Sequence, residues 1–213
     1  MSKKPSKKSK SKAPKKSAQK GPKKAAKQKV GKKAASKSVM KSAATAPPSN
    51  AQRERAVALF KFAHQTAAKF GSGFADNQVT AQPTPTSNHL LWSFGHLAVS
   101  NAWFASLIDG APIGVSDDWD KMFGMKSKPT SDPAAYPPFA EVQAAYAKSA
   151  ERIEDAARSR TDADMVKPCA SDSGGFCADK LDAIAKAAWH EGWHLGQIAE
   201  LRKALGLPSA MGS

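Results

Sequence analysis

Apolar residues recur at three- and four-residue spacing in four stretches of the chain, and nowhere do they alternate convincingly with period two. In the first stretch, from about residue 50 to 70, Ala56, Phe60, Ala63, Ala67 and Phe70 fall on one stripe of a helix. "GSGF" ends it, and Pro83 and Pro85 keep the following segment from continuing it. The second, from about 87 to 108, carries Trp92, His96, Val99, Trp103 and Leu107 on its stripe, with Ser87 or Asn88 available as cap. "DGAP" stops it. A third helix is expected over about 138–160, where Pro138 suits the first turn and Phe139, Val142, Tyr146, Ser149, Ile153 and Ala157 repeat at core spacing. The fourth is expected over about 178–205, with Ala183, Ala187, His190, His194, Leu201 and Leu205 inward, Gly206 closing it and Pro208 preventing a restart.

Between the second and third helices, "IGVSDDWDKMFGMKSKPTSDPAAYPP" shows few periodic features. Four helices with one long crossover predict an all-α fold, a four-helix bundle occupying residues 49–208.

Charge separates this domain from what precedes it. Residues 1–50 hold 17 lysines and no acidic residue, whereas the other 163 residues carry 16 basic and 18 acidic side chains. The formal net charge of +15 is therefore a property of the N-terminal segment. Lys, Ser, Ala and Pro at this density bury too little apolar surface to offset ordering entropy, so residues 1–48 are expected to be a disordered tail. No apolar run follows its charges as a signal peptide would require. Its composition resembles the lysine-rich tails of linker histones. Paired lysines recur along it: Lys3 and Lys4, Lys7 and Lys8, Lys15 and Lys16, Lys23 and Lys24, Lys32 and Lys33. Such pairs suit DNA or RNA backbones through counterion release, without sequence readout.

The candidate chemistry lies in "AWHEGWHLGQIAELRKALG" (188–206), where His190, Glu191 and His194 spell H-E-x-x-H. His190 and His194 are about 40° apart around a helix, so both imidazoles reach one metal. A third ligand is expected from His96, on the apolar stripe of the second helix; His89 lies about 10 Å further up that helix and His64 is off its helix's core stripe. A zinc protease is not indicated. No histidine follows His194, Gln197 stands where the extended protease motif has glycine, and Glu200 is on the same helix and cannot fold back. Glu191 thus reads as a neighbour of the site or as one side of an interhelical salt bridge. Gln197, within about 20° of His190 on the wheel, reads as a donor behind the ligands or as a buried amide bonded to a facing helix.

"NHLLWSFGHLAVSNAWFASLIDG" and the later "AWHEGWHLGQIAELRKALGLP" resemble the DinB/YfiT-like metalloprotein superfamily over roughly residues 50–208. The resemblance implies a bundle with a long crossover and a divalent metal bound by His96, His190 and His194. Some members are metal-dependent thiol transferases or isomerases that use low-molecular-weight thiols. Three imidazoles leave an open coordination position, where a water or thiol becomes nucleophilic near neutral pH. Zinc or nickel is the expected ion, with iron or cobalt as alternatives.

Two function classes follow. One is a metal-dependent transferase or hydrolase acting on a small molecule. The other is a nucleoid- or RNA-associated protein whose tail binds nucleic acid and whose bundle serves as a metal-stabilised scaffold or homodimer module. Cys169 and Cys177 read as free thiols in a reducing cytoplasm, or else as a redox pair. Trp92, Trp103, Trp189 and Trp193 read as core and pocket wall, with Trp189 and Trp193 also able to hold a flat ligand. No run is long enough to span a bilayer.

Overall fold

The computed structural model describes residues 50–212. The tail expected over 1–48 lies outside the described residues, and with it the lysine pairs Lys3 and Lys4, Lys7 and Lys8, Lys15 and Lys16, Lys23 and Lys24, and Lys32 and Lys33. Six α-helices are present among the described residues: α1 (Ala51–Phe70), α2 (Leu90–Asp109), α3 (Asp117–Phe123), α4 (Phe139–Arg158), α5 (Asp162–Met165) and α6 (Lys180–Ala204). The expected four-helix bundle is thereby corrected. The two additional helices are short and locally encoded. Ser116 accepts from the Trp119 amide to start α3, and Thr161 accepts from the Asp164 amide to start α5. Each buries one large anchor completely, Phe123 and Met165 respectively. With seven and four residues, neither is long enough to show helical periodicity. Two 3-10 turns, Asp76–Gln78 and Pro133–Ala135, lie in the connections. Among the described residues there is no strand.

The cap of α2 also differs from expectation. It is His89, whose Nδ1 accepts from the Trp92 amide at 3.0 Å, rather than Ser87 or Asn88. At its other end Gly110 adopts φ 76°, a left-handed conformation that lets the chain turn away.

Long-range polar contacts fix the helix directions. Asn50 gives α1 no side-chain cap; instead the Asp162 carboxylate accepts from the Gln52 and Arg53 amides at 3.1 and 3.0 Å. At the far end of α1, Arg202 of α6 donates to the Phe70 carbonyl at 2.9 Å. The helices α1 and α6 therefore run parallel. The pair α2 and α4 does too: Phe94 stacks on Phe139 at 5.9 Å near their starts, and Arg152 donates to the Pro112 carbonyl just beyond the end of α2. Since Asp162 supplies a cap from 109 residues away, Asp162→Ala should cost about 1–2 kcal/mol and lower the thermal midpoint by several degrees, measurable by circular dichroism.

Two apolar clusters fill the interior. One gathers Phe60, Phe104, Ile108, Ile153, Met165 and Ile184; the other gathers Leu90, Phe94, Leu97, Phe123, Tyr146 and Ile198. Between them, on the long helices, lie buried polar groups: Asn101 and His96 on α2, Ser149 on α4, and Glu191 and His194 on α6. Gly95 permits a close approach in the second cluster. A Cβ there would fall 2.3 Å from the Phe123 ring, so the aromatic anchor of α3 rests directly on the α2 backbone.

Candidate metal centre

His96 reaches the interior from the middle of α2, and His190 and His194 reach the same point from successive turns of α6. The ligand atoms of the three imidazoles all lie within 4.8 Å of one another, the only such grouping of His, Cys, Asp or Glu found among the described residues. His96 Nε2 stands 3.3 Å from His190 Nε2, and the His190 and His194 ring centroids are 4.8 Å apart. His96 and His194 are buried and His190 half-buried.

The orientation of His96 is secured from behind. Its Nδ1–H donates to the Phe123 carbonyl at 2.7 Å, which puts the proton on Nδ1 and leaves the Nε2 lone pair facing the other two rings. Trp92 stacks on the same ring at 4.7 Å and 7°, and is itself held by its indole N–H to Ser127 at 2.9 Å. Thus the α3 segment and the turn after it, with few periodic features in the sequence, supply the support of His96. Burial lowers the pKa of all three imidazoles: His96 falls from 6.5, His190 to about 4 with His96 contributing, and His194 to about 3 with His190 and His96 contributing. Neutral rings crowded together offer lone pairs, and Nδ1 of His190 and of His194 is buried with no hydrogen-bond partner. This donor set fits a divalent cation of borderline softness.

The same shifts predict an acid sensitivity. His89, also pushed to about 4 by burial, joins the three in being neutral when folded and titrating near 6.5 when unfolded. Below pH 6.5 the unfolded chain binds more protons, so the stability of the metal-free protein should fall as pH drops from about 6.5 to 4. Thermal midpoints taken across this range in the presence of chelator would check it; an unchanged midpoint down to pH 4 would contradict the buried neutral imidazoles.

Other expected residues fall differently. Glu191 is completely buried and faces away from the triad, towards Asn101, Tyr146 and His64. It is thus not a surface group, and its contact with His64 of α1 is of the interhelical kind expected for it. His64, off the expected stripe, packs against the Tyr146 ring at 4.2 Å. Gln197 accepts from Asn88 Nδ2 at 3.1 Å and also lies near enough to His194 to oppose its pKa depression. Glu200 is engaged with Lys203 at 2.7 Å. Cys169 and Cys177 are free, and burial raises both thiols, Cys177 to about 11, which makes them poor nucleophiles. Trp92 is a buried wall of the site, Trp103 is half-buried, and Trp189 and Trp193 are more than half exposed beside His190, their rings 5.7 Å apart.

Two grooves open on the domain, only the second of them at the triad. One of about 760 Å³ runs between α2, α4 and the segment before α3, with Ser149 in its lining. The other, about 560 Å³, is bounded by Asn88, Trp193, Gln197 and Glu200 and so borders the triad through Gln197. No helix among the described residues is long and apolar enough to cross a membrane.

No curated protein matches the chain closely enough to serve as a relative. A family model does match: that of the DinB superfamily aligns with residues 59–198, from the middle of α1 nearly to the end of α6. Because that stretch is more than half the chain and contains all three clustered histidines, the chain belongs to the DinB superfamily.

Proposed function

We propose that the domain is a metal-dependent enzyme acting on a small molecule, a transferase that uses a low-molecular-weight thiol or a hydrolase, with His96, His190 and His194 as metal ligands. The observation that carries this reading is the convergence of three neutral, desolvated imidazoles, one of them locked with its lone pair inward by the Phe123 carbonyl. Zinc or nickel suits such a site, and iron or cobalt can replace them according to supply. A cation held by three imidazoles keeps open positions at which it polarises a substrate oxygen or lowers the pKa of a bound water or thiol. The chain's own part is to hold His96 in one tautomer, to shield the ring with Trp92, and to present Gln197 between the histidines and the adjoining groove.

Metal analysis of the protein as isolated should find close to one divalent ion per chain, and chelator should lower its thermal midpoint. A screen with low-molecular-weight thiols would then seek turnover. Protein without stoichiometric metal, and indifferent to chelator, would defeat the reading.

A second reading rests on the 17 lysines of residues 1–50. In it, that segment binds DNA or RNA by neutralising phosphates, and the helical domain is a metal-stabilised scaffold or homodimer module. Deleting residues 1–47 separates the two: salt-sensitive nucleic-acid binding should vanish, while metal content and any turnover persist.

A further inference from the structure

Glu191, the central acid of the H-E-x-x-H motif, has no role in the centre described above, yet three separate helices converge to hold its side chain. It is 0 % exposed, and each of the other three long helices sends it one partner. Asn101 Nδ2 of α2 donates to Oε1 at 2.8 Å, His64 Nδ1 of α1 stands 3.3 Å from the same oxygen, and the Tyr146 hydroxyl of α4 donates to Oε2. Asn101 is fully buried and Tyr146 almost so. Burying a carboxylate is costly and adds little net stability even when it is well partnered. What such a group does supply is direction, because its bonds are satisfied at only one rotation and one height of the helix that carries it.

On α6 that specification is needed. Around the histidines the buried face is otherwise Ala183, Ile184, Ala187 and Ala188, Gly192 and Gly196 add no side chain, and the larger buried side chains Lys180, Ile198, Leu201 and Arg202 lie towards the two ends of the helix. Alanines interlock weakly, so at the level of the histidines apolar packing sets the rotation of α6 only loosely, even with its C-terminal turns held by Ile198, Leu201 and Arg202. The carboxylate is about 100° around the helix from His190. Rotation that disengaged it would swing both histidines away from His96.

We propose that Glu191 is a positioning residue: clamped by His64, Asn101 and Tyr146, it sets the rotation of α6 at which His190 and His194 converge with His96. This rests on the metal-site reading above and adds that the motif's carboxylate acts on the metal only through its helix.

The test is titration of the whole protein with Co²⁺, followed by its visible absorption, with Zn²⁺ in competition. Glu191→Gln should bind Co²⁺ about tenfold more weakly and at saturation should show altered band positions and intensities, since the ligands meet the ion at changed angles. Tyr146→Phe removes one donor from the clamp and should shift both readouts the same way by less. Asp162→Ala, which loosens the fold far from the triad, should lower thermal stability while leaving affinity and spectrum as in the wild type. A cooperatively folded Glu191→Gln protein with wild-type affinity and spectrum overturns the proposal; if that variant does not fold, the same result from Tyr146→Phe overturns it. Wild-type protein that takes up neither ion defeats the metal reading itself and this proposal with it, an outcome distinct from the first.

Discussion

Exchange of His194 for alanine should weaken Zn²⁺ binding beyond the ~100-fold that loss of a supporting group outside the ligand set reaches, and should abolish the chelator sensitivity of the thermal midpoint. Burial, with His190 and His96 beside it, pushes His194 down to about 3, and no protein donor or acceptor closes on its buried Nδ1. Two remaining histidines do not make a closed site on a borderline ion. At neutral pH the metal-free variant should nevertheless be about as stable as the metal-free wild type, because a desolvated polar ring with an unpartnered nitrogen contributes little to folding. Calorimetric titration and unfolding with and without chelator separate the two effects. A variant that still binds one ion per chain at wild-type affinity would remove His194 from the ligand set.

Phe123→Ala is expected to have the largest effect on stability. The ring is 0 % exposed, lies on the backbone of α2 at Gly95, and touches Trp119 and Tyr136 with centroids 5.1 and 5.6 Å away. Truncation leaves a cavity at the junction of three segments, a change that costs about 3–5 kcal/mol in cores of this kind. The loss should reach the metal as well. The Phe123 carbonyl orients His96, and once the ring no longer anchors α3 that carbonyl loses its fixed position. Chemical denaturation should show the destabilisation, and Zn²⁺ affinity should fall in the same protein by less than in the His194 variant. Full retention of affinity in a destabilised Phe123→Ala protein would show that His96 keeps its orientation without the anchor.

The long helices were legible because each repeats its apolar residues over about four turns or more. The short ones were not: α3 and α5 are defined by a capping hydroxyl and a single buried anchor, and such signals look like any other loop until the surface they pack on is known. The histidine cluster was legible for a similar reason. An i,i+4 pair and a third histidine on an apolar stripe have one economical solution when the two helices face each other. Glu191 had none. A carboxylate about 100° from the metal-facing direction is at a helix boundary, and only the neighbours on either side decide whether it meets water or core. Those neighbours, His64, Asn101 and Tyr146, come from three separate helices, and nothing in their local spacing links them to it. His89 illustrates the same limit at smaller scale. The sequence offered Ser87 or Asn88 as cap, and the structure uses the buried His89 instead.

The inward turn of Glu191 towards the other helices has a consequence for which ions the centre admits. Had that carboxylate faced His96, the site would have mixed an oxygen donor with its nitrogens and become hospitable to hard cations. With it occupied elsewhere, the described donor set is all imidazole. Magnesium and calcium, which prefer oxygen ligands, would be poorly suited to such a set. On the proposed metal-site reading, selection between hard and borderline ions would follow from the side of α6 on which this buried acid lies.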